Sequence, residues 1–395
     1  MTDPALLRSR MVDELTAGGF LDPGWREAFL AVPRHAFIPD VVWQEQRRDV
    51  VPFQRAEDPS RWMQLAYASR EFVITQVDDG NPVGPGLIGD AISSSASQPN
   101  VVALMLAALA VEPGMTVCEI GTGTGYNAAL LAQRLGADHV TTIEIDPEIA
   151  TRARAALSTN GFGNVTVITG DGAYGYPPRA PYDRVLATAA VARVPYAWVA
   201  QTRPGGRVVT PWGTAYLNGA LLSLTVGEDG TATGRLVGNV AFMWLRAQRI
   251  PLAWIRDCVY DEDKAQVSHT GLHPGCVTGD YHAALAIGVL VPGCEYRLCR
   301  AQDSSGEYTV WFLDSHTQSW ASIDYMPGTD TYEVNQLGPR RLWDEVEAAY
   351  TWWKQAGSPT ADQWRFTVTP QGQQVSAAED DDVVPVWGPT PAASH

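Results

Sequence analysis

At 395 residues the chain exceeds the roughly 100–200 residues of a usual single domain, so two domains, one of them large, are expected. A formal charge of -16 argues against nucleic acid and acidic membrane surfaces as partners, because both demand a surplus of lysine and arginine on the binding face. The longest apolar run, Val101 to Val111, falls short of the roughly 20 residues of a membrane span, and the first residues lack the basic-then-apolar order of a signal peptide, so a cytoplasmic protein is expected.

In chain order, residues 1–98 open with a helix. A long stretch rich in Arg, Asp, Pro and Gly follows, including Asp78-Asp79-Gly80-Asn81-Pro82-Val83-Gly84-Pro85-Gly86, and it reads as loop or an acceptor-side lid. Residues 99–250 alternate strand-like and helix-like segments, the pattern of a largely parallel sheet with helices on both faces. A helix is expected over Pro99 to Leu109, with strands at Thr116 to Ile120, His139 to Ile145, Val165 to Thr169, Asp183 to Thr188 and Arg207 to Pro211. Tyr196 to Gln201 reads as a helix and Pro204-Gly205-Gly206 as a turn, with closing antiparallel strands at Leu221 to Val226 and Leu236 to Leu245.

From Pro251 the alternation stops. Strands at Glu295 to Cys299, Tyr308 to Leu313, Trp320 to Tyr325 and Tyr332 to Gln336 precede a helix over Arg340 to Ala356, whose Leu342, Val346, Ala349, Tyr350 and Trp353 form a core stripe. A strand over Arg365 to Thr369 completes a smaller α+β module over 251–376, and 377–395 reads as a disordered acidic and Pro-rich tail. The five cysteines, Cys118, Cys258, Cys276, Cys294 and Cys299, lack C-x-x-C spacing and indicate neither a disulfide framework nor a zinc site. His269, His273, Cys276 and His282 fall close together, but Gly271, Pro274 and Gly275 make that segment an ordinary loop, so no metal is expected.

The chemistry concentrates in Val117-Cys118-Glu119-Ile120-Gly121-Thr122-Gly123-Thr124-Gly125-Tyr126 and the later Thr142-Ile143-Glu144-Ile145-Asp146. An apolar strand entering a glycine-rich turn, then a helix, then a strand ending in acid, is how an α/β sheet holds a ribose-bearing cofactor at its carboxyl edge. The dinucleotide fingerprint would need glycine where Tyr126 stands, and no lysine followed by Ser or Thr closes the loop as in a P-loop. S-adenosylmethionine, which has no phosphate, suits such a turn better. Plain chain reversal would also use glycines here. Glu144 could be a solvated strand end, Asp171 a turn residue capping its strand, and the serines before Pro99 N-terminal caps.

With Val32-Pro33-Arg34-His35-Ala36-Phe37-Ile38-Pro39, Ser97-Gln98-Pro99, Glu119 to Tyr126, Gly170-Asp171-Gly172 and Pro181-Tyr182-Asp183 in one order, Leu15 to Leu245 resembles the protein-L-isoaspartate O-methyltransferase family. The resemblance implies a class I S-adenosylmethionine-dependent methyltransferase fold, Rossmann-like, with an N-terminal helical and loop extension and a smaller C-terminal α+β domain. It also implies cofactor contacts from Glu119, Gly121, Thr122, Gly123, Gly125, Tyr126, Glu144, Ile145, Gly170, Asp171 and Gly172. On the acceptor side it points to Ser97, Ser95 and Ser94, the family having Thr where this chain has Ser95.

The family is usually one domain, whereas here Pro39 to Ser97 carries an insertion and Pro251 to His395 an added module. That arrangement resembles the subgroup found with ribosomally made, modified peptides (lanthipeptide and graspetide systems), which methylate an aspartate in a precursor peptide and so trigger aspartimide formation. The expected partner is therefore a peptide or protein bearing aspartate. Repair of isoaspartate in damaged proteins and a catalytically inactive peptide-binding protein of the same fold are the alternatives, with a small-molecule methyltransferase more distant.

Overall fold

The computed structural model describes residues 3–46, 49–82, 89–250 and 253–377. Asp3 accepts from the Ala5 amide and Pro4 fills the first turn, starting α1 (Pro4–Ala17), which buries Met11, Val12 and Leu15. With α2 (Arg26–Ala31), which buries Phe29, it shares a core with Leu130 and Leu131 of the following α/β layer. Residues 1–98 are therefore no separate unit: Met1–Pro211, Leu221–Ala247 and Val368–Pro370 form one unit, and Trp212–Ala220, Gln248–Thr367 and Gln371–His395 the other.

The expected loop or lid ahead of Ser97 is a small antiparallel sheet. β1 (Val41–Gln46), β2 (Asp49–Gln54), β3 (Val73–Val77) and β4 (Ile92–Ala96) are arranged β2-β1-β3-β4, with α3 (Pro59–Ala66) between β2 and β3. The β-branched pairs Val41-Val42, Val50-Val51 and Val73-Ile74 supply the strand preference, and Pro52 is tolerated because β2 lies at the edge. Of the glycine- and proline-rich stretch, Asp78–Gly80 is a short 3-10 turn, while 83–88 lie outside the described residues.

Pro99 opens α4 (Pro99–Leu109), which buries Val102, Ala103, Met105, Leu106 and Leu109. Then come β5 (Val117–Ile120), α5 (Tyr126–Leu135), β6 (Val140–Glu144), α6 (Pro147–Thr159), β7 (Thr166–Thr169), β8 (Tyr182–Ala187), α7 (Tyr196–Ala200), β9 (Thr202–Gly213), β10 (Asn218–Val226) and β11 (Ala232–Gly238). These strands are ordered β11-β10-β9-β8-β5-β6-β7, parallel from β7 to β9, with β10 and β11 antiparallel to one another. Two expectations need correction. Pro204-Gly205-Gly206 lies inside β9, where it absorbs the register shift against β8. The last expected strand ends at Gly238, and the chain bridges back instead, Leu245 N–H donating to Ala190 O and Ala190 N–H to Met243 O.

In the second unit α8 (Ile255–Cys258), β12 (Gln266–Thr270), α9 (Gly275–Thr278) and α10 (Tyr281–Leu290) precede β13 (Glu295–Arg300), β14 (Tyr308–Asp314), β15 (Ser319–Tyr325), β16 (Tyr332–Leu337) and α11 (Leu342–Gln355). The five strands form an antiparallel sheet ordered β12-β16-β15-β14-β13. Ile287 of α10 and Leu342, Val346 and Ala349 of α11 share its core with Phe312, Ile323 and Val334. The expected stripe of α11 is thus core, with Tyr350 only half-buried at its margin.

The segment expected to be an ordinary loop holds His269 on β12, Cys276 on α9 and His282 on α10. β17 (Trp364–Thr369) and β18 (Gly372–Ala377) follow, but the strand expected to complete the smaller module instead continues the larger sheet, in the order β18-β17-β11; Ala377 ends a strand, and the rest of the expected tail, 378–395, lies outside the described residues. Among the described residues no helix is long and apolar enough to cross a membrane.

Candidate active site

Strand β5 runs out into the glycine turn, where Gly121, Gly123 and Gly125 all have positive φ, +89°, +52° and +86°. The Gly121 amide donates to Ile143 O at 2.8 Å and the Gly125 amide to Thr122 O at 2.9 Å, closing the turn before Tyr126 starts α5. Across the turn stands Thr188, just beyond β8, whose Oγ1 is 2.6 Å from Gly121 O; a Cβ on Gly121 would sit 2.7 Å from that oxygen. β5 and β8 flank the point where the chain switches sides of the sheet, which is where open α/β sheets bind ligands.

Glu144 ends β6 buried, at 7% exposure. Its Oε2 accepts from the Gly123 amide at 2.9 Å and its Oε1 from the Asp146 amide at 3.1 Å, so one carboxylate ties the strand tip to the second glycine. Burial raises its pKa, partly opposed by those two amides. Asp146 does different work. It caps α6, accepting from the Glu148 and Ile149 amides, and its other oxygen accepts from Gln76 Nε2 at 3.1 Å and faces Arg246 at 3.7 Å. Arg246 also pairs with Asp79 at 3.0 Å, so the acidic strand tip is tied to the turn after β3.

Glu119, on β5, is fully buried beneath the turn. Thr142 Oγ1 and Asn127 Nδ2 each donate to it at 2.6 Å, and Thr122 Oγ1 lies 2.7 Å from Thr142 Oγ1. Burial pushes its pKa up to about 7, against those two hydrogen bonds and reinforced by the charge of Glu144. Because the folded state then holds a proton that the unfolded chain releases near its ordinary pKa of 4.5, this group's contribution to stability is complete below pH 4.5 and is lost as pH rises through about 7. Glu119→Gln, which cannot ionise, is expected to flatten the dependence of stability on pH in that window, as read from urea midpoints between pH 4.5 and 8.

At the next strand end the Gly170 amide donates to Glu144 O at 2.8 Å, and Asp171 caps a short 3-10 turn by accepting from the Ala173 amide at 2.9 Å. Gly172 is buried against Ile120, with its carbonyl held by Trp198 Nε1 at 2.8 Å. Ile145, between two buried acids, is 36% exposed. An apolar side chain left open beside a carboxylate suits a flat, partly apolar ring next to a diol.

Ser93 to Ser95 lie on strand β4 rather than in a helix cap, Ser97 lies in the link from β4 to α4, and α4 is preceded by Gln98 with no side-chain cap bond. The pairing of β3 with β4 shifts between Ile74 and Gln76, leaving Thr75 as the bulged residue, and Thr75 Oγ1 donates to the buried Ser94 Oγ at 3.1 Å. Ser93 is committed to Gln76 and to the Asp79 amide. Ser95 and Ser97 are half-buried, and their hydroxyls make no hydrogen bond among the described residues, while Ser95 O lies against Gly123. A cavity of about 260 Å³ is lined by Phe37, Ile38, Thr75, Ser94, Gly123 and Ile149 among others, with Arg152 its charged lining residue; Ser94 is the serine that reaches it. Thr188, Thr75, Gln76 and Arg246 were not singled out from sequence. Of these only Thr188 carried a signal, as a hydroxyl at the end of a strand beside the switch point.

The residues fit S-adenosylmethionine. A turn of left-handed glycines without a basic side chain, a strand-tip carboxylate for a diol and an exposed Ile145 for a ring together define a class I S-adenosylmethionine-dependent methyltransferase. Residues 66–249 match the family model described as protein-L-isoaspartate(D-aspartate) O-methyltransferase. The chain is 34% identical over 235 residues to the protein-L-isoaspartate O-methyltransferase of Pyrococcus horikoshii, covering 59% of this chain and 90% of that one. It is 37% identical over 218 residues to protein-L-isoaspartate O-methyltransferase 2 of Polaromonas sp., covering 55% and 85%. A solved structure of a protein-L-isoaspartate O-methyltransferase shares the fold, with a TM-score of 0.53 at 19% identity, over 94% of this chain and 100% of that one. The chain belongs to the protein-L-isoaspartate O-methyltransferase family and is a carboxyl O-methyltransferase.

Proposed function

We propose that the enzyme esterifies the side-chain carboxylate of an aspartate in a particular peptide, and that the ester then closes to an aspartimide. The observation that carries acceptor binding at this place is the pair of uncommitted hydroxyls, Ser95 and Ser97, on a segment whose Ser95 backbone oxygen faces Gly123 of the glycine turn. The second unit, beyond the 59% of this chain aligned with the Pyrococcus relative, supports a particular peptide as acceptor, while the solved structure aligned over 94% of this chain leaves repair of damaged proteins equally supported.

The cofactor supplies an electrophilic methyl group on a sulfonium, and the acceptor carboxylate, ionised at pH 7 with a reference pKa near 4, needs no general base. The chain's task is placement and exclusion of water, where orientation can contribute roughly 7–11 kcal/mol. Gly121, Gly123 and Gly125 would admit the donor close to backbone, while Glu144 would hold its ribose and Asp171 with Gly172 its adenine. Ser97 and Ser95 offer neutral donors to the acceptor. A strong cation there would stabilise the nucleophile and slow it. After transfer, the backbone nitrogen following the esterified aspartate attacks the ester carbonyl: the C–N bond forms and methanol leaves with the amide proton.

Repair of isoaspartate is the second reading, favoured by the names its relatives carry. Two peptide pools, one with aspartate and one with isoaspartate, incubated with labelled donor and read by mass, separate the two. Methyl gain followed by net loss of water on ordinary aspartate is expected; transfer to isoaspartate alone would establish repair. The five cysteines are all free thiols, which suits a reducing compartment.

A further inference from the structure

Arg34 is fully buried, yet among the described residues it forms no ion pair with any carboxylate, and its Nη1 has no hydrogen-bond partner. A buried guanidinium without a counter-ion is costly, and replacement by an apolar side chain would relieve that cost. What the side chain does instead is join three pieces of chain. Its Nε donates to Ala66 O at the end of α3 at 2.8 Å, its Nη2 donates to Ala96 O at 3.2 Å, and its Cζ stands 5.2 Å from the ring centre of Tyr126. Ala96 is the residue between Ser95 and Ser97. Tyr126 is the first residue of α5, directly after Gly125, and its ring is wedged in turn by Phe29 and Phe37. The same chain segment leads into the cavity wall, since Phe37 and Ile38 follow the 3-10 turn Arg34–Ala36. Arg34 therefore spans from the serine-bearing strand to the helix that closes the glycine turn.

We infer that Arg34 is a positioning residue, which holds the Ser95–Ser97 backbone at a fixed distance from the glycine turn so that the acceptor carboxylate meets the methyl donor in line. The inference rests on the proposed acceptor role of Ser95 and Ser97. A planar fork is needed for it, because two carbonyls and a ring face must be engaged at once, and an ammonium on a flexible stem does not reproduce that geometry.

The test is a double-mutant cycle on the full chain with Arg34→Met, Arg34→Lys and Ser97→Ala, followed through kcat, KM for an aspartate peptide, the calorimetric Kd of S-adenosylhomocysteine and the melting curve. Both Arg34 variants are expected to lower kcat at least tenfold with the Kd changed less than threefold, and Arg34→Met combined with Ser97→Ala is expected to be little worse than either alone. A fall in kcat matched by an equal loss of S-adenosylhomocysteine binding, or by the fraction unfolded, would overturn the inference, as would strictly multiplicative losses. If Arg34→Met fails to fold, Arg34→Lys, which keeps the charge, decides by the same readings. Ser97→Ala and Ser95→Ala at full activity beside an impaired Arg34→Lys would instead refute the acceptor-serine reading itself.

Discussion

Gly121→Ala is expected to lose measurable S-adenosylhomocysteine binding and to melt several degrees lower. Alanine at φ +89° is strained by about 1–3 kcal/mol, and its methyl would lie 2.7 Å from Thr188 Oγ1, which cannot retreat without abandoning Gly121 O. For a unit of this size about 1 kcal/mol corresponds to ~2–4 °C in Tm. Gly170→Ala is the matched control. Its backbone is not left-handed and nothing lies within 4 Å of the added methyl, so the fold should be unaffected, within about 0.5 kcal/mol, while a ligand seated against that glycine would be displaced. Gly121→Ala with normal melting and normal binding would mean that the turn is not the cofactor's cradle.

Glu144→Gln is expected to weaken S-adenosylhomocysteine by roughly 10–100-fold, the effect of losing charge-assisted hydrogen bonds worth about 1.5–3 kcal/mol. The amide keeps one acceptor for either Gly123 or Asp146 and turns an NH₂ toward the other, so the turn loosens as well as losing its anion. Titration calorimetry measures the affinity. KM for the donor should rise with it, whereas kcat at saturating donor should change little, because Glu144 touches no acceptor. An unchanged Kd would remove Glu144 from the ribose.

The parts legible in sequence were those with one physical solution. A run of left-handed glycines has no substitute, so the turn at Gly121 to Gly125 shows in the letters, and so does an acid closing a short apolar strand. The stripe of α11 was legible because a single face of that helix is buried. α10 was not, since Ala283 to Val289 is buried all round and shows no stripe to distinguish helix from strand. The N-terminal sheet escaped for a different reason: β1 pairs with β3 across an intervening helix, a non-local match, and β2 carries a proline. Within the site, Glu119, Glu144 and the serines were named from motif. Thr188, Gln76 and Arg246 come from distant segments and are assembled only by folding.

Side chains alternate along β4, so Ser94 is buried on Thr75 and lines the cavity with Gly123, while Ser95 stands half-buried on the other side. Adding or deleting a single residue between Ile92 and Ala96 would exchange odd for even positions, burying Ser95 and turning Ser94 outward, with every chemical group still present. A single indel in β4 would therefore swap these two faces, so alignments and grafted chimeras should be anchored on that phase rather than on serine count.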